Sequence, residues 1–184
     1  MGLLILGVLL WSGAHLFKRL APDARANMGA KGRGPIAIVL IVSVVLMVVG
    51  YRSAQTYDLY STPDFFRHIN NLLMLVAVGL FGLGNSKSRL RAKMRHPMLT
   101  GMLVWAVAHL LVNTDVASLV LFGGMLVWSL WEMTVINKQD PGFTPYRGGS
   151  KAGDIRLVII TLVVYLAIGG LHMWIGPSPF PMGG

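Results

Sequence analysis

The sequence predicts an all-α integral membrane protein, a bundle of about six transmembrane helices with both termini on the non-cytoplasmic side. Three features carry this. Of its 184 residues 54% are hydrophobic and only 12% charged, about half the ~25% charge of an ordinary soluble domain. The apolar residues come in blocks of membrane-spanning length and not in amphipathic periods. The basic residues fall on alternate loops, the pattern that fixes orientation in a bilayer.

A hydrocarbon core of about 30 Å takes roughly 20 mostly apolar helical residues. Segments 2–17, 35–54, 69–84, 97–112, 116–135 and 157–175 come near that length. The shorter ones thin the bilayer locally or lean on their neighbours. They form one continuous transmembrane domain over residues 1–184. Nothing charged precedes Trp11, and Lys18 and Arg19 follow it. A cleaved signal peptide has the opposite order, so the first segment is expected to be a retained helix.

Between the first two spans lie Lys18, Arg19, Arg25, Lys31 and Arg33. Between the third and fourth lie Lys87, Arg89, Arg91, Lys93 and Arg95, and between the fifth and sixth Lys138, Arg147, Lys151 and Arg156. Only Arg52 and Arg67 remain for the other side. Cytoplasmic loops retain Lys and Arg, which places those three loops inside. A bacterial cytoplasmic membrane is the expected location. Asn113, Thr114 and Asp115 make a tight outer turn with Asp115 placed to cap the next helix. The tail from Gly176 through Pro177, Ser178, Pro179, Phe180 and Pro181 ends the last helix.

Charge and composition also exclude. The net charge of +9 does not indicate nucleic acid, because the basic residues sit in short runs between apolar blocks and not on one solvated face. Without cysteine there is no disulfide, no thiolate ligand and no cysteine nucleophile. No phosphate loop, zinc signature or nucleophile elbow is present.

The informative residues are polar ones inside apolar blocks, since ionisable groups in spans usually face the bundle interior or a cavity. All five histidines, His15, His68, His96, His109 and His172, lie in or beside spans. Neutral imidazole ligates iron directly. At a rise of about 1.5 Å per residue, His109 lies roughly 20 Å beyond His96, and His172 roughly 24 Å beyond Arg156. Depth alone pairs His109 with His172 in the outer half. It leaves His15 and His96 in the inner half and His68 at the outer surface beside Phe65 and Phe66. Each histidine has a plainer reading as a hydrogen-bonded packing residue between helices, and His96 as closing the basic loop. Glu132 is an acid or an ion-pair partner, or a side chain reaching for water. Trp11, Trp105, Trp128, Trp131 and Trp174 suit packing or an interfacial belt. Asn70 and Asn71 suit bonds between helices, and Thr100 and Gly101 close helix packing.

The run Arg95-His96-Pro97-Met98-Leu99-Thr100-Gly101, with Trp105, His109 and Asn113, then Leu119 to Phe122 and Gly123, resembles the core of NnrU family membrane proteins. Ser12-Gly13-Ala14-His15 and Leu171-His172-Met173-Trp174 also look like that family. The resemblance implies a link with denitrification and nitric-oxide metabolism. It also implies kinship with the plant zeta-carotene isomerase, a haem b enzyme that moves a polyene double bond from cis to trans. Its iron ligands match His15 and His109 here. The candidate cofactor-binding set is then His109, His15, His172 and His96, with His109 and His15 as the metal ligands, and the cofactor expected is haem b. Expected partners are the bilayer and a hydrophobic polyene or small nitrogen-oxide ligand, and a homo-oligomer is compatible with the sequence. The runner-up is an S-adenosylmethionine-dependent membrane methyltransferase of the isoprenylcysteine or phospholipid type, which Arg95 to Gly101 resemble at the mouth of a helical hairpin, with Glu132 and the glycines from Gly142 to Gly149 as the acid and segment that hold the cofactor. A third reading is a non-catalytic subunit of a respiratory complex.

Overall fold

A computed structural model describes residues 1–176 and 178–180. Pro177 and Pro181 of the helix-ending tail lie outside the described residues. Apart from two isolated bridge pairs, the described residues form helices and their connections. Helix α1 is Gly2–Leu20, the short α2 Pro22–Asn27 and α3 Arg33–Arg52, and then come α4 Phe66–Leu83 and α5 Pro97–Leu110. Helix α6 (Val116–Ser118) runs through a π-helical turn, Leu119–Gly123, into α7 (Gly124–Gln139), and α8 is Lys151–Ile175.

All six predicted apolar segments are helical. Five stretches are long and apolar enough to cross a membrane: Gly2–Leu20, Gly29–Arg52, Phe66–Leu83, Val116–Gln139 and Lys151–Ile175. The remaining one, α5, has 14 residues and a length of about 21 Å. Its start is set by Pro97 at the first helical position, where the missing N–H costs nothing. Burial is inverted relative to a soluble protein. Ile38, Ile41 and Val45 of α3 and Val158, Val163 and Leu166 of α8 are exposed, while Ser43, Ser118 and Ser129 are fully buried. Small polar residues at helix contacts with apolar ones facing outward suit a lipid surround.

The chain forms two compact units, each discontinuous in sequence: residues 1–61 with 113–139, and residues 62–112 with 140–184. In the first unit α1 and α3 approach backbone to backbone. A Cβ on Gly7 would lie 2.8 Å from both Met47 N and Ser43 O, and one on Gly50 would strike the backbone of Leu4. Helix α7 packs on α1, with Gly124 against Val8. One end of this unit is clasped by hydrogen bonds. Leu59 N donates to Thr114 O (2.8 Å), Val116 N donates to Tyr57 O (3.2 Å) and the Thr114 hydroxyl donates to Asp58 (2.8 Å). Asp115 caps α6 as the sequence predicts, accepting from Ser118 N (2.9 Å) and from the Ser118 hydroxyl (2.6 Å).

In the second unit α4 packs against α5 and α8. Gly101 allows the α4–α5 contact, since a Cβ there would lie 3.2 Å from Ala77 O. Asn70 bonds between these helices as expected, donating to Ala108 O at 2.7 Å. Thr100 does not serve that contact with its hydroxyl, which donates to His96 O one turn back in its own helix. At the basic end, Asp154 of α8 accepts from Ser88 Oγ (2.7 Å), Arg89 N (2.8 Å) and Arg89 Nε (2.6 Å).

Candidate functional site

Three of the five histidines share one local arrangement. His15 Nδ1 lies 3.0 Å from Trp11 O, His109 Nδ1 2.9 Å from Trp105 O, and His172 Nδ1 2.9 Å from Ile168 O. In each case the carbonyl belongs to the residue four positions back, whose helical bond the ring shares. A carbonyl oxygen only accepts, so Nδ1 carries the hydrogen, and in the neutral ring the lone pair is on Nε2. A second hydrogen bond that fixes the tautomer and aims the far nitrogen is how metal-ligating histidines are held. The helix itself supplies that bond here, once per histidine.

In the first unit His15 sits in an indole pocket. Its ring centroid is 4.3 Å from that of Trp11 and 4.8 Å from that of Trp128, and the two tryptophans meet edge-on at 5.6 Å. Trp128 is 4% exposed. Glu132 is one turn further along the same helix face and 8% exposed. Trp11 Nε1, Trp128 Nε1 and Glu132 Oε2 are the buried side-chain atoms without a hydrogen-bond partner among the described residues. A buried orphan donor or acceptor costs about 1–3 kcal/mol. The two orphaned indole N–H groups lie together around His15, where a water or a ligand acceptor would satisfy them. Among the described residues Glu132 forms no ion pair with an arginine.

In the second unit His109 of α5 and His172 of α8 line one cavity with Asn70, Asn71 and Tyr165. Asn71 secures its rim by donating to Pro179 O at 2.9 Å. The free volume is about 60 Å³, room for about two waters at ~30 Å³ each. It falls well short of the ~300 Å³ at the lower end of small-molecule sites.

The other two histidines are placed differently. His68 is exposed in the first turn of α4 beside Phe65 and Phe66, whose tilted rings lie 4.6 Å apart. His96 occupies the cap position of α5 without capping it through its side chain. It lines a separate cavity of about 440 Å³ with Arg91, Arg95, Phe143 and Tyr146. Arg91 stacks on Tyr146 at 4.3 Å. Arg95 is held by the Asp140 carboxylate (3.6 Å) and by the carbonyls of Asp140 and Pro141. Among the described residues no three His, Cys, Asp or Glu side chains gather as a metal site.

These features define a multi-pass membrane protein of apolar helices with oriented imidazoles inside its spans. The chain belongs to the NnrU family: the family model described as NnrU protein matches residues 3–179, nearly its whole length. No curated protein matches it. No solved structure does either.

Sequence reasoning found the histidines but not what surrounds His15. The spacings Trp11–His15 and Trp128–Glu132, each one helical turn, were the available signal.

Proposed function

We propose that the chain binds haem b through His109, with His15 ahead of His172 as the second ligand, and acts as a polyene cis–trans isomerase or as a nitrogen-oxide accessory protein of denitrification. The supporting observation is the shared tautomer: intramembrane rings whose Nδ1–H is directed to a backbone carbonyl, so that in the neutral ring the lone pair lies on Nε2. The orphaned indole N–H groups of Trp11 and Trp128, whose rings flank His15, favour it over His172, whose shared cavity with His109 is small. Bound haem supplies an iron whose affinity for alkene or nitric oxide changes with its oxidation state. The chain's own part is to orient imidazoles, exclude water and keep the surround apolar. We further propose six spans in a bacterial cytoplasmic membrane, with the three basic loops inside and both termini outside.

Spectra of the purified, haem-supplemented protein with and without dithionite test this. The expected result is a Soret band that shifts on reduction, is lost in His109→Ala, turns high-spin in His15→Ala and is unchanged in His172→Ala. No Soret band at all would end the haem reading. A change in the reduced spectrum with a cis-polyene supports the isomerase branch, and one with nitric oxide alone supports the other.

The 440 Å³ cavity at Arg95 to Leu99 supports one other reading, a membrane methyltransferase. No carboxylate lines it to take the amine or ribose hydroxyls of S-adenosylmethionine, which counts against this. Calorimetric titration with S-adenosylhomocysteine decides: micromolar binding promotes it, silence removes it.

A further inference from the structure

The second unit carries an apolar groove between α4 and α8 that ends in cations. Leu75, Gly79 and Leu83 of α4 and Leu157 and Thr161 of α8 line it, with Lys93 at its mouth, and its volume is about 490 Å³. Gly79 helps keep it open, since a Cβ there would reach only Thr161, at 3.6 Å. A second, more polar pocket of about 360 Å³ shares the wall at Leu157 and holds Asn85, Ser86, Lys87 and Arg156. We propose that the groove and this pocket together bind one anionic phospholipid from the leaflet at the basic end of the bundle. One acyl chain lies in the groove, and the phosphate meets Lys93, Lys87 and Arg156.

Charge decides the occupant. The nearby acids are already engaged, Asp154 by Ser88 and Arg89 and Asp140 by Arg95. Lys87, Lys93 and Arg156 form no ion pair with an acidic side chain among the described residues. A free phosphate has no use for a long apolar wall, and a neutral polyene none for three cations. A second copy docked on itself here would bring like charges together. Basic pockets between helices at the cytoplasmic face suit anionic headgroups. The site is also built and not merely exposed: Gly153 packs on the Lys87 backbone with no room for a Cβ, and Ser150 N donates to Lys87 O at 3.0 Å. No histidine lines the groove or the polar pocket, so the lipid test reads separately from haem binding.

Native mass spectrometry of the delipidated protein, offered equimolar dioleoyl-phosphatidylglycerol and dioleoyl-phosphatidylcholine, tests this. The wild type should retain one phosphatidylglycerol in clear preference. Replacing Lys87→Gln, Lys93→Gln and Arg156→Gln together should erode the preference by about five-fold per charge, the value of roughly 1 kcal/mol for each basic residue at an anionic surface. Gly79→Leu, which fills the groove, should lower retention of both lipids. Equal retention of the two lipids by wild type overturns the proposal, as does an unchanged preference in the triple variant or a protein dimer that Gly79→Leu dissociates. If Gly79→Leu does not give a helical monomer by circular dichroism and light scattering, the triple variant of exposed side chains carries the test alone.

Discussion

Asp115 shows how one side chain can hold a helix start and sense pH. Partial burial raises its pKa, but the bonds from the Ser118 hydroxyl and amide and from Thr56 outweigh that and hold it below its ordinary 3.8. A depressed carboxyl contributes stability that is fully present above the ordinary value and is lost as pH falls through the lower native one. Thermal melts in detergent should therefore be flat from neutral pH to about pH 5 and drop at more acid pH. Asp115→Ala should melt lower by about 1 kcal/mol at neutral pH and lose most of that acid limb. An acid limb of full size in Asp115→Ala would assign it to other carboxylates. The capping role was legible in the sequence because a cap is a local rule, an acidic residue just before an apolar run. Thr56, 59 residues away, was not legible, because its bond to Asp115 (3.2 Å) exists only once the clasp has folded. The same distinction divides the histidines. Their presence in spans was plain, while Trp128, which closes the pocket of His15, comes from a helix more than a hundred residues later.

At the scale of elements, the six apolar segments were recovered because length and hydropathy are sums over a window and need no partner. What the sequence reading could not supply was which glycines face a backbone. Gly7 and Gly50 do, at the α1–α3 crossing, while Gly2 and Gly13 of α1 face open space. Overpacking a tight contact costs typically 1–3 kcal/mol, and Gly50 has Leu4 backbone directly across it. Gly50→Leu should thus destabilise by at least about 2 kcal/mol on that basis, read as a lower melting temperature, whereas Gly13→Leu should melt like wild type. Equal losses in both would mean that the α1–α3 crossing does not set the effect, since Gly→Leu by itself raises helix propensity. The π turn at Leu119–Gly123 was likewise invisible, although Phe122 and Gly123 stood out by resemblance. An extra residue in one turn leaves composition untouched and only re-aims the helix beyond it, which here carries Trp128 and Glu132.

At the scale of the whole molecule, the alternation of basic loops makes a prediction that this chain is well suited to test. It has no cysteine, so single cysteines report without background. A membrane-impermeant maleimide added to intact cells should label Ser61→Cys and not Ser86→Cys or Gly148→Cys, with all three labelled after lysis. Labelling of Gly148→Cys in intact cells would break the six-span arrangement.

The interleaved course of the two units bears on biogenesis. Helix α7, which buries Trp128 and Glu132, is synthesised only after α4 and α5. The amino-terminal helices must therefore wait in the bilayer, incomplete, while most of another unit is made. A nascent chain arrested near residue 112 would present α1 with its indole and imidazole face unclosed. That state is where a bilayer-embedded quality-control protease would find its substrate.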